Sequence, residues 1–242
     1  MSKYNADQLF NLLNQQLNAN NKGEISFKLS NFKITVQQNN VVGNILEEWL
    51  DKWMTKNDID HVYNHSQSSP DFWLDSTQSN DDWLEIKSFT GSPNFDIGNF
   101  MSYISDVMDK PWKLYSNYLL LEYKMDMETG IITINNVWLK KVWEISCPSA
   151  KWAVKVQDKK NVIYNLRPAS WYSQKTDYDT FKSLEDFLSA LDFVIKTYPN
   201  TARIGLEWKH KVEQSYKNYY HKELNIPLWQ NIVHNYYCFM YY

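Results

Sequence analysis

Between Trp83 and Phe89 the side chains alternate: Leu84 and Ile86 are apolar, Glu85 and Lys87 charged. A period of two marks a β-strand with one face against a core and the other left for charge. Upstream, Pro70-Asp71-Phe72-Trp73-Leu74 reads as a second strand that Asp71 opens, and the polar run from Ser76 to Asp81 supplies the turn of a hairpin. Such a hairpin brings Asp71 opposite Glu85, with Lys87 two residues on and on the same face. Two carboxylates so placed can hold Mg²⁺ in an octahedral oxygen site and leave positions for water and a phosphate. Lys87 can orient or activate an attacking water, or stabilise charge developing on the phosphate. The plainer alternative has Asp71 capping a turn and Glu85 and Lys87 pairing on a solvated strand. In either reading both carboxylates are expected on an open polar face, where truncation leaves folding intact.

The chain of 242 residues fits one large domain or one core with an added arm, and 43% apolar residues are ample for that core. Eleven Trp and 17 Tyr exceed ordinary usage and suit partner or nucleic-acid contacts, although most such rings belong in a core. A formal net charge of −3 counts against non-specific coating of nucleic acid but leaves room for a Lys-lined cleft. Positive charge is almost all Lys; the arginines are Arg167 and Arg203. Cys147 and Cys238 have neither metal spacing nor a disulfide framework, and five scattered His give no zinc site. With no apolar signal core and no run of membrane-spanning length, a soluble, cytoplasmic protein is expected.

Apolar positions at helical spacing predict helices over residues 6–19 and 41–53, the second carrying Val42, Ile45, Leu46, Trp49, Leu50 and Trp53 on one side. Residues 25–36 alternate around Ser30-Asn31, as a strand or short hairpin. A short strand over 59–63 precedes the two strands already described. After the break at Ser92-Pro93-Asn94 a helix is expected over 95–108, then strands over 118–123 and 131–137. Residues 137–145 read as a short helix or a strand, and 151–160 as a basic stretch. Residues 181–198 and 203–220 read as helices parted by Pro199-Asn200, and the tail from 229 to 242 is aromatic. The fold class expected is α/β (α+β): a mixed central sheet flanked by helices, with helical additions at the C-terminus. A soft division places an arm at 1–40, a core at 41–170 and a helical region at 171–242.

Glu47 and Glu48 lie mid-helix before the core, and either could complete the metal site; Glu48, beside the stripe of Ile45, Trp49 and Trp53, is the expected third ligand with Asp71 and Glu85. Asp96 is expected in the first turn of its helix, and Asp75, Asp81 and Asp82 as turn residues. Lys159, Lys160, Asn165 and Arg167 form the candidate DNA patch: Lys neutralises phosphates, Asn can read adenine, and Arg or Lys guanine. A solvated charged loop is the alternative.

Taken together, Ser69-Pro70-Asp71-Phe72, Leu84-Glu85-Ile86-Lys87-Ser88-Phe89, Ser92-Pro93-Asn94-Phe95-Asp96-Ile97, residues 137–145 and Ile163-Tyr164-Asn165-Leu166-Arg167-Pro168 resemble type II restriction endonucleases of the PD-(D/E)xK superfamily, in the NgoBV/NlaIV group. The resemblance runs from about residue 41 to 170. It implies Mg²⁺-dependent cleavage of double-stranded DNA at a short palindrome, with Asp71, Glu85 and Lys87 as the catalytic set. It also implies a homodimer and a cognate methyltransferase encoded nearby. The group is associated with GGNNCC. The scarcity of Arg departs from the commonest way of reading guanine. A repair or recombination nuclease on the same core, or a non-catalytic DNA-binding relative, are the competing readings; the intact Asp71, Glu85 and Lys87 argue against the last. The helices over 181–220 are the expected dimer surface.

Overall fold

The computed structural model describes residues 1–36, 38–66, 68–173 and 176–236; Cys238 and the end of the aromatic tail lie outside the described residues. The chain divides into two compact units, Met1–Ser92 with Ser116–Lys140, and Pro93–Tyr115 with Lys141–Tyr242. These boundaries cut across the expected core at 41–170.

The first unit is built on a six-stranded sheet. Its strands are β1 (Lys22–Glu24), β4 (Val62–Tyr63), β5 (Phe72–Trp73), β6 (Trp83–Phe89), β8 (Asn117–Met125) and β9 (Ile131–Lys140), in the order β1-β9-β8-β6-β5-β4. The β6–β8 pair is parallel and the other pairs are antiparallel. Two helices cover one face. In α1 (Ala6–Ala19), Leu9, Leu13 and Leu17 recur every fourth residue and are buried. Asn5 caps α1 by accepting from Gln8 N–H, and the Gln8 side chain answers the Asn5 N–H. In α2 (Val42–Lys56) the buried stripe is Val42, Leu46, Leu50, Trp53 and Met54. These stripes join Leu84 and Ile86 of β6, Leu119, Leu121 and Tyr123 of β8, and Ile132 and Ile134 of β9 in one core. Each such side chain contributes about 1.5–3 kcal/mol on leaving water. A separate two-stranded ribbon, β2 (Ser26–Leu29) with β3 (Phe32–Thr35), turns at Ser30-Asn31 as the alternation predicts.

The second unit carries a three-stranded antiparallel sheet, order β10-β11-β7, formed by β7 (Gly98–Asn99), β10 (Val156–Lys159) and β11 (Val162–Leu166). Its helices are α3 (Phe100–Asp109), α4 (Leu184–Thr197), α5 (Ala202–Gly205), α6 (Trp208–Tyr220) and α7 (Trp229–Ile232). Nine residues of α4 are buried, so this helix is core. Trp208 of α6 is fully buried and donates its indole N–H to Ile104 O of α3 at 2.7 Å.

Three boundaries depart from expectation. The helix expected from residue 95 starts at Phe100, with Asn99 as its cap accepting from Ser102 N–H. Ile97 N–H goes instead to Leu166 O, so residues before Asn99 are drawn to β11. Residues 137–140 complete β9 and are followed by a 3₁₀ turn at Val142–Ile145. The stretch from 203 to 220 is two helices, α5 and α6. Among the described residues no helix is long and apolar enough to cross a membrane.

Candidate active site

The register that pairs Phe72 with Leu84 and Trp73 with Trp83 sets Asp71 opposite Glu85. The ladder stops there for a local reason. Pro70, next in register to Ile86, has no N–H to donate. Its carbonyl is taken by Asn64 Nδ2 at 2.8 Å. The Ile86 N–H turns to Asp71 Oδ2 at 2.6 Å, so the Asp71 carboxylate replaces the missing strand bond. Glu85 accepts a short hydrogen bond from the Ser69 hydroxyl. Lys87 Nζ stands 3.9 Å from Asp71 Oδ2 and 3.7 Å from Glu85 Oε2. The hairpin thus assembles the three expected side chains around one point.

The face they occupy is not open, in contrast to the expectation from alternation. Glu85 is only 6% exposed. On the neighbouring β8, Tyr118 and Leu120, in register with Glu85 and Lys87, are buried too. Burial disfavours the Lys87 ammonium, but the carboxylates of Asp71, Glu85 and Glu47 outweigh it and hold its pKa above the ordinary lysine value.

Two helix carboxylates share this field, Glu47 and the expected Glu48. Glu48 is exposed, whereas Glu47 is half-buried. Gly43, one turn before Glu47, lies over β6: a Cβ there would meet Ser88 Oγ at 3.4 Å. Residues four apart share a helix face, so Glu47 follows Gly43 toward the sheet. Burial, then the negative charges of Asp71, Glu85 and Glu48, raise the Glu47 carboxyl to about 7 against the pull of Lys87. Tyr63 of β4 belongs to the same field. Burial and the carboxylates of Glu47, Glu48 and Asp71 raise its phenol, and its ring stacks on Phe72 at 4.8 Å. Sequence reasoning missed Tyr63 and Ser69; the only signal for Ser69 was its place immediately before Pro70-Asp71.

The donor set suits a hard divalent cation. Carboxylate oxygens are the ligands that Mg²⁺ takes, typically one or two from protein with the remainder from water and substrate phosphate. Glu47, its carboxyl raised first by burial and then by Asp71, adds a further carboxylate to the same neighbourhood. Among the described residues no three His, Cys, Asp or Glu gather closely enough to hold a metal by themselves.

The four DNA-patch residues fall in the second unit and divide into two kinds. Lys159 and Lys160 are exposed at the tip of the β10–β11 hairpin, where Lys160 (φ 50°) and Asn161 (φ 62°) form a two-residue turn of the primed type. Asn165 is half-buried and donates to Gln157 Oε1 at 3.0 Å. Arg167 is engaged by Asp96 and by Asn94 O. Asp96 therefore serves as the partner of Arg167 and not as a first-turn residue of α3, which begins four residues later.

The family model described as NgoBV restriction endonuclease matches residues 3–236. The type II restriction enzyme NlaIV of Neisseria lactamica is 39% identical over 98% of this chain and 99% of its own length. The type II restriction enzyme NgoBV of Neisseria gonorrhoeae is 36% identical over 66% of this chain and 93% of its own length. The solved structure of the NlaIV restriction endonuclease superposes with a TM-score of 0.92 at 38% identity and covers 98% of both chains. The likeness therefore takes in both terminal segments, well beyond the span of 41–170 in which the sequence motifs lie. From end to end the chain belongs to the NgoBV restriction endonuclease family, whose named members here are type II restriction enzymes.

Proposed function

We propose that this type II restriction endonuclease cleaves both strands of DNA at a short palindrome, as a homodimer, with Mg²⁺ held by Asp71 and Glu85. The observation that carries the reading is the meeting of Asp71, Glu85 and Lys87 at 3.9 and 3.7 Å on one hairpin. When bound, the cation would polarise the scissile phosphate and lower the pKa of a coordinated water. The protein's part is to hold its own groups still. Ile86 N–H fixes Asp71, and the Ser69 hydroxyl fixes Glu85. Lys87, beside both carboxylates, stabilises charge developing on the phosphate oxygens. Lys159 and Lys160 serve phosphate contacts and hence register on the duplex. One chain supplies one such set, and a palindrome presents two equivalent phosphates about a two-fold axis, which a symmetric dimer matches. A host carrying this activity needs a cognate methyltransferase to protect its own sites, and GGNNCC is the first target to try.

A supercoiled plasmid of defined sequence tests the chemistry. Discrete fragments are expected with Mg²⁺ and none with chelator. Glu85→Gln should be inactive. Lys87→Ala should lower the single-turnover rate by about 10²–10³ while DNA affinity in Ca²⁺ holds. Cleavage by Glu85→Gln at the parental rate, or a Lys87→Ala defect confined to affinity, would overturn these roles.

A further inference from the structure

We propose that the apolar face of the β2–β3 ribbon is the surface on which a second copy of this chain docks about a two-fold axis. This deepens the dimer reading above and rests on it. In the ribbon's register Phe27 pairs with Ile34 and Leu29 with Phe32, and these four side chains share one face. All four meet solvent: Phe27 is 52% exposed, Leu29 68%, Phe32 80% and Ile34 56%. The opposite face carries Lys28 paired with Lys33, and Ser26 with Thr35. A solvated ribbon normally hides its apolar side and shows its polar one; this one shows both. Two strands alone are marginal in water and need a third strand or a packing partner.

The helices first expected to hold the interface are less suited to it. The apolar residues of α4 are spent on the core of the second unit, as are Trp208, Val212 and Tyr216 of α6. The ribbon, by contrast, leaves on the order of 450 Å² of apolar side-chain surface in water. Two copies meeting face to face would remove about twice that, most of what the smaller specific interfaces bury in total. The charge pattern selects the occupant. Lys28 and Lys33 lie on the far side, so the apolar face offers no ammonium to a phosphate backbone and meets a copy of itself without opposing like charges. An isologous contact needs only that a patch complement itself, and a uniformly apolar antiparallel ribbon does.

Sedimentation of the metal-free protein, without DNA, separates this from the cleavage reading, because assembly is measured whether or not the enzyme cuts. The wild type is expected as a two-chain species. A Leu29→Glu/Phe32→Glu double variant should raise the dissociation constant about a hundredfold or more, with unchanged circular dichroism. Lys28→Gln, on the other face, should remain two-chain. A second measurement uses only wild-type protein: amide exchange over residues 26–35 should slow as protein concentration rises. A wild type that stays one-chain at tens of micromolar, a double variant that stays two-chain, or exchange independent of concentration would overturn the proposal. So would a double variant that keeps its assembly but loses duplex binding in Ca²⁺, which would assign the face to DNA.

Discussion

Replacing Asp71 by Ala and by Asn separates two jobs that one carboxylate performs. Asp71 Oδ2 accepts the Ile86 N–H at 2.6 Å, and Ile86 is 2% exposed. Alanine leaves that N–H buried without its acceptor, because the Pro70 carbonyl opposite is taken by Asn64 Nδ2. An orphaned buried donor costs about 1–3 kcal/mol. For a chain of this size each kcal/mol moves the melting temperature by about 2–4 °C, so Asp71→Ala should melt roughly 2–12 °C below wild type. Asparagine keeps an acceptor in the same place and removes one of the crowded negative charges beside Glu85 and Glu47, so Asp71→Asn should melt at or above wild type in chelator. Both variants should fail to cleave DNA, Ala for two reasons and Asn for one. Thermal melts followed by circular dichroism in chelator, alongside plasmid cleavage in Mg²⁺, provide the comparison. If Asp71→Ala melted within a degree of wild type, or Asp71→Asn fell as far as Ala, Asp71 would not be closing the strand.

Two further outcomes follow from the charges. The Glu47 carboxyl is raised from 4.5 to about 7, so its stabilising contribution in the metal-free protein is full below pH 4.5 and is lost as pH rises through about 7. The melting temperature of wild type relative to Glu47→Gln should therefore drop across that window and level off above it; a constant difference from pH 4 to 8 would contradict the assignment. Replacing Lys159 and Lys160 together by Ala should make the plot of log affinity against log salt shallower by about 1.8, at roughly 0.9 per phosphate contact, and an unaltered slope would remove both from the DNA surface.

The parts of this fold legible in sequence are those set by local periodicity. Leu9, Leu13 and Leu17 announce α1, and the turn over Ser76–Asp81 fixes the register that brings Asp71 to Glu85. Three things were hidden because distant residues decide them. Residues 95–97 fit a helical stripe, yet Ile97 N–H bonds to Leu166 O and Asp96 binds Arg167. The stripe of Ile45, Trp49 and Trp53 set Glu48 beside the buried side, whereas the buried ridge of α2 runs through Val42, Leu46 and Leu50 and leaves Glu47 half-buried and Glu48 exposed. The β10–β11 hairpin turns on Lys160-Asn161 with no glycine, so its turn leaves no ordinary sequence mark. Alternation in β6 located the charged face correctly but said nothing about what covers it.

The parallel pairing of β6 with β8 has a consequence for how such an enzyme can be taken apart. Parallel neighbours need a crossover, and here the crossover between Phe89 and Asn117 contains Pro93–Tyr115, which belongs to the second unit. The backbone passes between units three times, and the strand β6 is completed by a neighbour that arrives only after two of those passages have been made. No single cut in the gene releases either unit whole. Fragment complementation at one break, or exchange of one unit between relatives as a cassette, therefore divides a unit instead of transferring it.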